Sequence, residues 1–159
     1  MNLAHLLAVD QIVPEMASGE FRGAISELVE HLAAGTLPGS VTKADLVERF
    51  LRREELVSTG VGSGVAIPHT FLAGLDRVLT VFGRSRQGID FGAHDDEPVY
   101  FVVLFVVPEA EYQLHLRTLG AIAKLFSGNE VRQRLAAAAD AGEIWEILSN
   151  RSARAQTAP

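Results

Sequence analysis

The sequence contains no cysteine. That absence removes disulfides, zinc–thiolate sites, iron–sulfur clusters and thiol nucleophiles together, and it fits a reducing cytoplasm. Positive charge is also short: 14 Lys and Arg stand against 20 Asp and Glu, a net charge of −6. This is the wrong sign for coating phosphate backbones or anionic lipid, so neither nucleic acid nor a membrane is an expected partner. Long apolar runs are missing as well. The longest, residues 99–107, is about half of what a membrane-spanning helix needs, and Pro108 closes it. Residues 1–10 have no basic region ahead of a short apolar stretch and no small-residue cleavage site after it, so they do not read as a signal peptide. No internal repeat or long linker divides the chain. What is left is 159 residues, 48% hydrophobic and 21% charged, enough for one globular domain with its own core. Its chemistry has to come from histidine, carboxylates, arginine or hydroxyls.

Hydrophobic periodicity places a helix through Phe21, Ile25, Leu28, Val29 and Leu32, with Gly35 and Pro38 marking the loop after it. A second helix has a strong start signal: Thr42 and Asp45 are spaced as a capping box, and Val41 and Leu46 as a hydrophobic staple. It should end near Glu55. Residues 58–64 are too rich in glycine for a regular element. Short strands are expected at residues 65–67 and 77–83, with an edge piece at 89–91. The run 99–107, rich in Val and Phe, reads as a strand buried on both faces. Helices follow at 111–126, from Asn129 as cap through Leu135, and from Asp140 and Glu143 through Leu148. This order predicts an α/β (α+β) fold: a single domain over residues 1–149 with a mixed sheet of about five strands and helices on both faces. Residues 150–159 are expected to be a disordered polar tail. His5 and His31 read as surface residues, and the run from His94 to Glu97 as a polar turn rather than a metal cluster.

The most informative segment is the glycine loop that leads to His69. Alternating Gly60, Gly62 and Gly64 allow positive φ or close backbone approach to a phosphate. The loop is neither a P-loop, since no Lys-Ser/Thr follows, nor a dinucleotide fingerprint, since a helix rather than a strand precedes it. His69 follows Pro68 at the end of a short extended segment, where a neutral imidazole can act as a nucleophile. His115 begins an inward-facing helical stripe continued by Leu119, Ile122 and Phe126. Arg53 ends the capped helix, with the forked donors that suit a phosphoryl group. Ser58 and Thr59 either donate hydroxyls or shape the turn.

The pattern Ser58-Thr59-Gly60-x-Gly62-x-Gly64-x-Ala66-x-Pro68-His69 resembles the signature of the fructose/mannitol/nitrogen-regulatory class of enzyme IIA of the bacterial phosphotransferase system. Asp95-x-x-Pro98-Val99 and His115-Leu116-x-x-Leu119-x-x-Ile122-Ala123 extend the resemblance over most of the chain. The resemblance implies that His69 is phosphorylated through Nε2 by the phosphocarrier HPr, with His115 supporting it and Arg53 stabilising the phosphoryl oxygens. Ser58, Thr59, Gly62 and Gly64 would bind the group, and no metal or organic cofactor would be needed. An enzyme IIB or a regulated target protein would receive the group or read the phosphorylation state, in a cytoplasmic, bacterial setting. Of the two roles in the class, the nitrogen-regulatory one is expected and a sugar-specific carrier is the alternative. A domain that has lost phosphotransfer is disfavoured by the presence of both histidines and Arg53. A homo-oligomer is compatible with these features. The family commonly has Gly where this chain has Thr70, and a positive φ there would strain a β-branched residue.

Overall fold

The computed structural model describes the backbone of residues 6–32, 35–56, 60–92 and 96–157. A 3₁₀ turn at Val9–Gln11 leads into β1 (Ile12–Val13), followed by α1 (Phe21–Glu30) and α2 (Lys43–Leu56). Three short strands come next: β2 (Gly60–Gly62), β3 (Val65–Ala66) and β4 (His69–Leu72). Two long ones, β5 (Leu79–Ile89) and β6 (Val99–Pro108), precede α3 (Tyr112–Phe126), α4 (Asn129–Ala137) and α5 (Ala141–Thr157). The start of α2 is the capping box expected from sequence. The Thr42 N–H donates to Asp45 Oδ2 and the Asp45 N–H to Thr42 Oγ1, each at 3.0 Å.

Five strands lie in the order β1-β5-β6-β3-β2, and β4 also pairs with β6. The sheet is mixed, because β5 runs antiparallel to β6 whereas β3 and β4 run parallel to it. Strand β6 has a neighbour on each side and a helical layer over each face, so its side chains alternate between two cores. Phe101, Val103, Phe105 and Val107 join α3, α4 and α5 on one face. Val99, Val102, Leu104 and Val106 join α1 and α2 on the other. Full burial of each such side chain contributes about 1.5–3 kcal/mol. A sheet flanked by helices on both faces is therefore the observed fold.

The structure departs from the sequence reading in several places. Gly60–Gly62, expected to be irregular, is strand β2, antiparallel to β3. The two strands are joined through Ser63 (φ 59°) and Gly64 (φ 77°). Positive φ at both central residues is what a two-residue type I′ hairpin needs. Strand β5 is longer than expected and absorbs the separate edge piece at Ile89. The N-cap of α4 is Gly128, one residue before the expected Asn129. The last helix continues to Thr157, into the segment expected to be a disordered tail. Arg, Ala and Gln are good helix formers, and no glycine or proline interrupts the chain before Pro159. Ser58, Thr59, His5, His94 and Asp95 lie outside the described residues.

Buried Arg84 ties the distant parts of one layer together. Its Nε donates to Pro14 O, Nη1 to Leu135 O and Ala138 O, and Nη2 to Glu15 Oε1. One strand residue thus satisfies carbonyls beside β1 and at the end of α4. Glu15 also accepts from Arg86 Nε at 2.8 Å.

Candidate functional site

Strands β3 and β4 are one line of chain laid along β6 in a single register. Val65 pairs with Phe101 and Ala66 with Val102, and after the interruption at Ile67 and Pro68 the same spacing resumes with His69 opposite Phe105. Proline has no N–H and cannot continue a ladder as donor, so the strand breaks there. Phe105 N–H still donates to Pro68 O at 3.0 Å, which keeps the break pinned to the sheet.

The break positions the imidazole. His69 Nδ1 lies 2.7 Å from Ile67 O. A carbonyl only accepts, so Nδ1 carries the proton and donates it, and the neutral ring keeps the lone pair on Nε2. Phe105 stacks beneath the ring, with centroids 5.1 Å apart and planes 13° apart. His115, in the first turn of α3, brings its ring to 4.8 Å from that of His69. Phe71 and Tyr112 flank His115 at 4.9 and 5.7 Å. Neither ring nitrogen of buried His115 has a hydrogen-bond partner among the described residues. One donor and one acceptor on this buried ring are therefore left without a protein partner beside His69.

Arg53 lies in the last turn of α2, half-buried. Its charge bears on both imidazoles. Burial is the main cause that holds His69 below the ordinary histidine pKa, the charges of His115 and Arg53 add to it, and the hydrogen bond to Ile67 opposes it. For His115 burial again comes first and Arg53 second. Both rings are thus kept neutral, the state in which Nε2 of His69 is nucleophilic.

This has a consequence for stability with a definite sign. Unfolded histidines take up a proton near pH 6.5, whereas these two resist protonation while folded. Their effect is absent above that value, and stability falls as the pH drops from about 6.5 through the lower folded pKa values. Histidine ring NMR titration should place both midpoints below about 6.5, the value of an unfolded histidine. Urea unfolding of the His69→Phe, His115→Phe double variant should then lose less stability between neutral and mildly acid pH than the wild type does. An equal loss would show that other groups set the acid limb.

The structure brings together His69, His115 and Arg53. It does not bring Gly62 and Gly64 to them. Gly64 O accepts from Tyr100 and Phe101 N–H, which fixes the hairpin at the Phe101 end of β6. His69 is opposite Phe105, roughly 13 Å further along at the usual strand rise. Positive φ and close approach to a ring account for Gly64, since a Cβ there would lie 3.0 Å from Tyr100 Cδ2. Thr70 is not strained. It pairs with Val106 inside β4, and among the described residues only Ser63 and Asp96 are non-glycine residues with positive φ. His31 is exposed, as expected.

The sequence reading missed Phe105, Phe71 and Tyr112 as walls of the site. The buried run and the helix start were visible, but only the constant register between β4 and β6 reveals which Phe lies under His69. Beside the site, Tyr112 and Leu116 leave 61% and 45% of their surfaces exposed on α3, an apolar patch next to a buried histidine.

Several known proteins are similar to this chain. The family model described as phosphoenolpyruvate-dependent sugar phosphotransferase system, EIIA 2, matches residues 5–151. The nitrogen regulatory protein of Bradyrhizobium diazoefficiens is 35% identical over 149 residues, which are 94% of this chain and 95% of that protein. The fructose-specific EIIABC component of Bacillus subtilis is 31% identical over 150 residues, 94% of this chain but 23% of that much longer protein. The crystal structure of nitrogen regulatory protein IIA-Ntr from Neisseria meningitidis is similar with a TM-score of 0.84 and 34% identity, covering 92% of this chain and 98% of that one.

Proposed function

The chain belongs to the EIIA 2 family of the phosphoenolpyruvate-dependent sugar phosphotransferase system, and on that premise we propose that it carries a phosphoryl group on Nε2 of His69. The observation that supports this most is the pair of imidazoles: Nδ1 of His69 is tied to Ile67 O at 2.7 Å, and the His115 ring is 4.8 Å away. In the proposed step, the Nε2 lone pair attacks the phosphorus held on HPr. The new N–P bond forms as the bond from phosphorus to the donor breaks, and its electron pair leaves with the donor. Nδ1 keeps its proton and goes on donating it to Ile67 O, so the positive charge that the ring acquires is partly met by the Ile67 dipole. His115 and Arg53 face the charge on the phosphoryl oxygens. For loose phosphoryl transition states, such positioning and charge stabilisation supply most of the catalysis. The apolar patch of Tyr112 and Leu116 suits docking of a carrier protein over the buried rings.

The role we favour is regulatory, with phosphorylation changing the charge of this patch and hence its partner. The similarity to nitrogen regulatory proteins along nearly their full length supports it. The sugar-specific role, with transfer onward to an enzyme IIB, has the fructose-specific relative in its favour. Incubation with phosphoenolpyruvate, enzyme I and HPr, followed by intact-mass measurement, tests the proposal. A gain of one acid-labile phosphoryl group is expected, and no gain sinks the carrier reading. Subsequent addition of fructose- and mannitol-type IIB proteins separates the roles: stable retention of the group supports regulation, and fast transfer to one of them supports sugar uptake.

A further inference from the structure

We propose that a second cleft, at the opposite end of β6 from His69, binds a small organic anion with a flat apolar body and a phosphate or carboxylate end. The cleft has a volume of about 390 Å³ and lies between α4 and the paired stretches of β5 and β6 around Arg84 and Phe101. That is within the size range of small-molecule sites. Its walls include Arg84, Arg86 and Arg132 but no carboxylate, in a chain whose net charge is −6.

The three guanidinium groups are not equivalent. Arg84 is 1% exposed and most of its donors are consumed by Pro14, Leu135, Ala138 and Glu15. Arg86 gives Nε to Glu15 and Nη2 to Ala138 O, which leaves Nη1. Arg132 gives only Nη1, to Phe126 O, so its Nε and Nη2 have no partner among the described residues. Glu15 pairs with both Arg84 and Arg86, the charge of Glu143 also bears on Arg84, and Arg132 pairs with no carboxylate among the described residues. Glu130, in the first turn of α4, does not line the cleft. The excess of charge therefore favours an anion, gripped by Arg132 with Arg86 beside it.

The rest of the wall sets the apolar Tyr100, Phe101 and Ala136 beside the polar Ser85, Asn129 and Gln133. Tyr100 is 37% exposed, and its ring lies close against two glycines that leave room for it: a Cβ on Gly64 would come within 3.0 Å of it and one on Gly88 within 3.2 Å. Phe101 and Ala136 complete this side. An aromatic face beside unsatisfied guanidinium donors is the recognition chemistry of an aromatic or similarly flat anion, rather than of a bare inorganic ion. The cleft stands apart from His69 by the same four residues of β6 that separate Phe101 from Phe105, so the proposal does not depend on phosphotransfer.

The test is a ¹⁵N–¹H NMR titration of the full chain with phenyl phosphate, benzoate, phenol and inorganic phosphate. Saturable shifts at residues 84–86, 100–101 and 129–136 are expected with phenyl phosphate or benzoate, and the tighter of the two names the anionic end. Arg132→Gln and Ala136→Phe should each weaken binding by about tenfold or more, the first by removing the charge and the second by filling the cleft. Absence of saturable shifts with either anion overturns the proposal, as do shifts confined to the surroundings of His69. Equal binding of phenol removes the anion, and equal binding of inorganic phosphate removes the flat body. Binding that survives Ala136→Phe places the probe elsewhere.

Discussion

Alanine at position 69 is expected to abolish uptake of an acid-labile phosphoryl group, while alanine at position 115 slows uptake without abolishing it. The two rings stand 4.8 Å apart and are both buried, but only His69 has its proton assigned by a backbone carbonyl. Without that ring there is no lone pair for phosphorus. His115 instead offers nitrogens with no other partner, so its loss removes preorganised stabilisation of the transferring oxygens. Deleting one such donor commonly costs about 10²–10³ in rate. Time courses of intact mass, with phosphoenolpyruvate, enzyme I and HPr in excess, measure both effects. His115→Gln separates chemistry from packing, because an amide can still donate to a phosphoryl oxygen and should recover part of the rate. Labelling of His69→Ala at the wild-type rate would move the phosphoryl group elsewhere. A wild-type rate in His115→Ala would leave that ring a packing role only.

The largest expected effect on stability comes from a residue far from this site. Arg84→Leu should destabilise the fold by about 3–5 kcal/mol, the range for breaking a buried charged network on one side. Four partners each lose the Arg84 donor, Pro14 O, Leu135 O, Ala138 O and the Glu15 carboxylate, although Ala138 O and Glu15 keep Arg86. The bonds to Leu135 O and Ala138 O are buried, so water does not replace them without opening the layer between β5 and α4. For a chain of this size the loss corresponds to a drop in Tm of roughly 6–20 °C. Urea unfolding with and without the substitution checks it. Glu15→Gln is the internal comparison: it removes only the carboxylate charge, keeps an acceptor, and sits more than half exposed, so its cost should be well below that of Arg84→Leu. Equal costs would place the stability in the ion pair rather than in the three carbonyls.

Much of this architecture was legible in the sequence because it is local. The capping box at Thr42 and Asp45, the apolar run that became β6, and the helix bearing His115 each depend on residues within a few positions of one another. The same holds for His69 after Pro68. What escaped depends on distance along the chain. Arg84 lies just past the strand expected at 77–83, and its partners Pro14 and Ala138 are 70 and 54 positions away, beyond any local pattern. Strand β1 is two residues long and has no pattern of its own; it exists because Ile12 and Val13 pair with Phe82 and Gly83. The glycine segment offers two roles in sequence, positive φ or close approach to a phosphate, and Gly62 and Gly64 do take positive φ. Three alternating glycines suggest a phosphate cradle, yet Gly62 and Gly64 serve a hairpin beside Tyr100, while His69 stands at the other end of the register.

Because β6 alternates between two cores from Phe101 to Val107 and also sets which residue lies under His69, chain length in this stretch is not free to vary. Inserting one residue just before Leu104 would send every following side chain to the opposite face. The same insertion would slide Leu104 under the imidazole. Differences in length among relatives should therefore collect in the connections on either side of residues 99–108, and substitutions rather than insertions should be the currency of change within them.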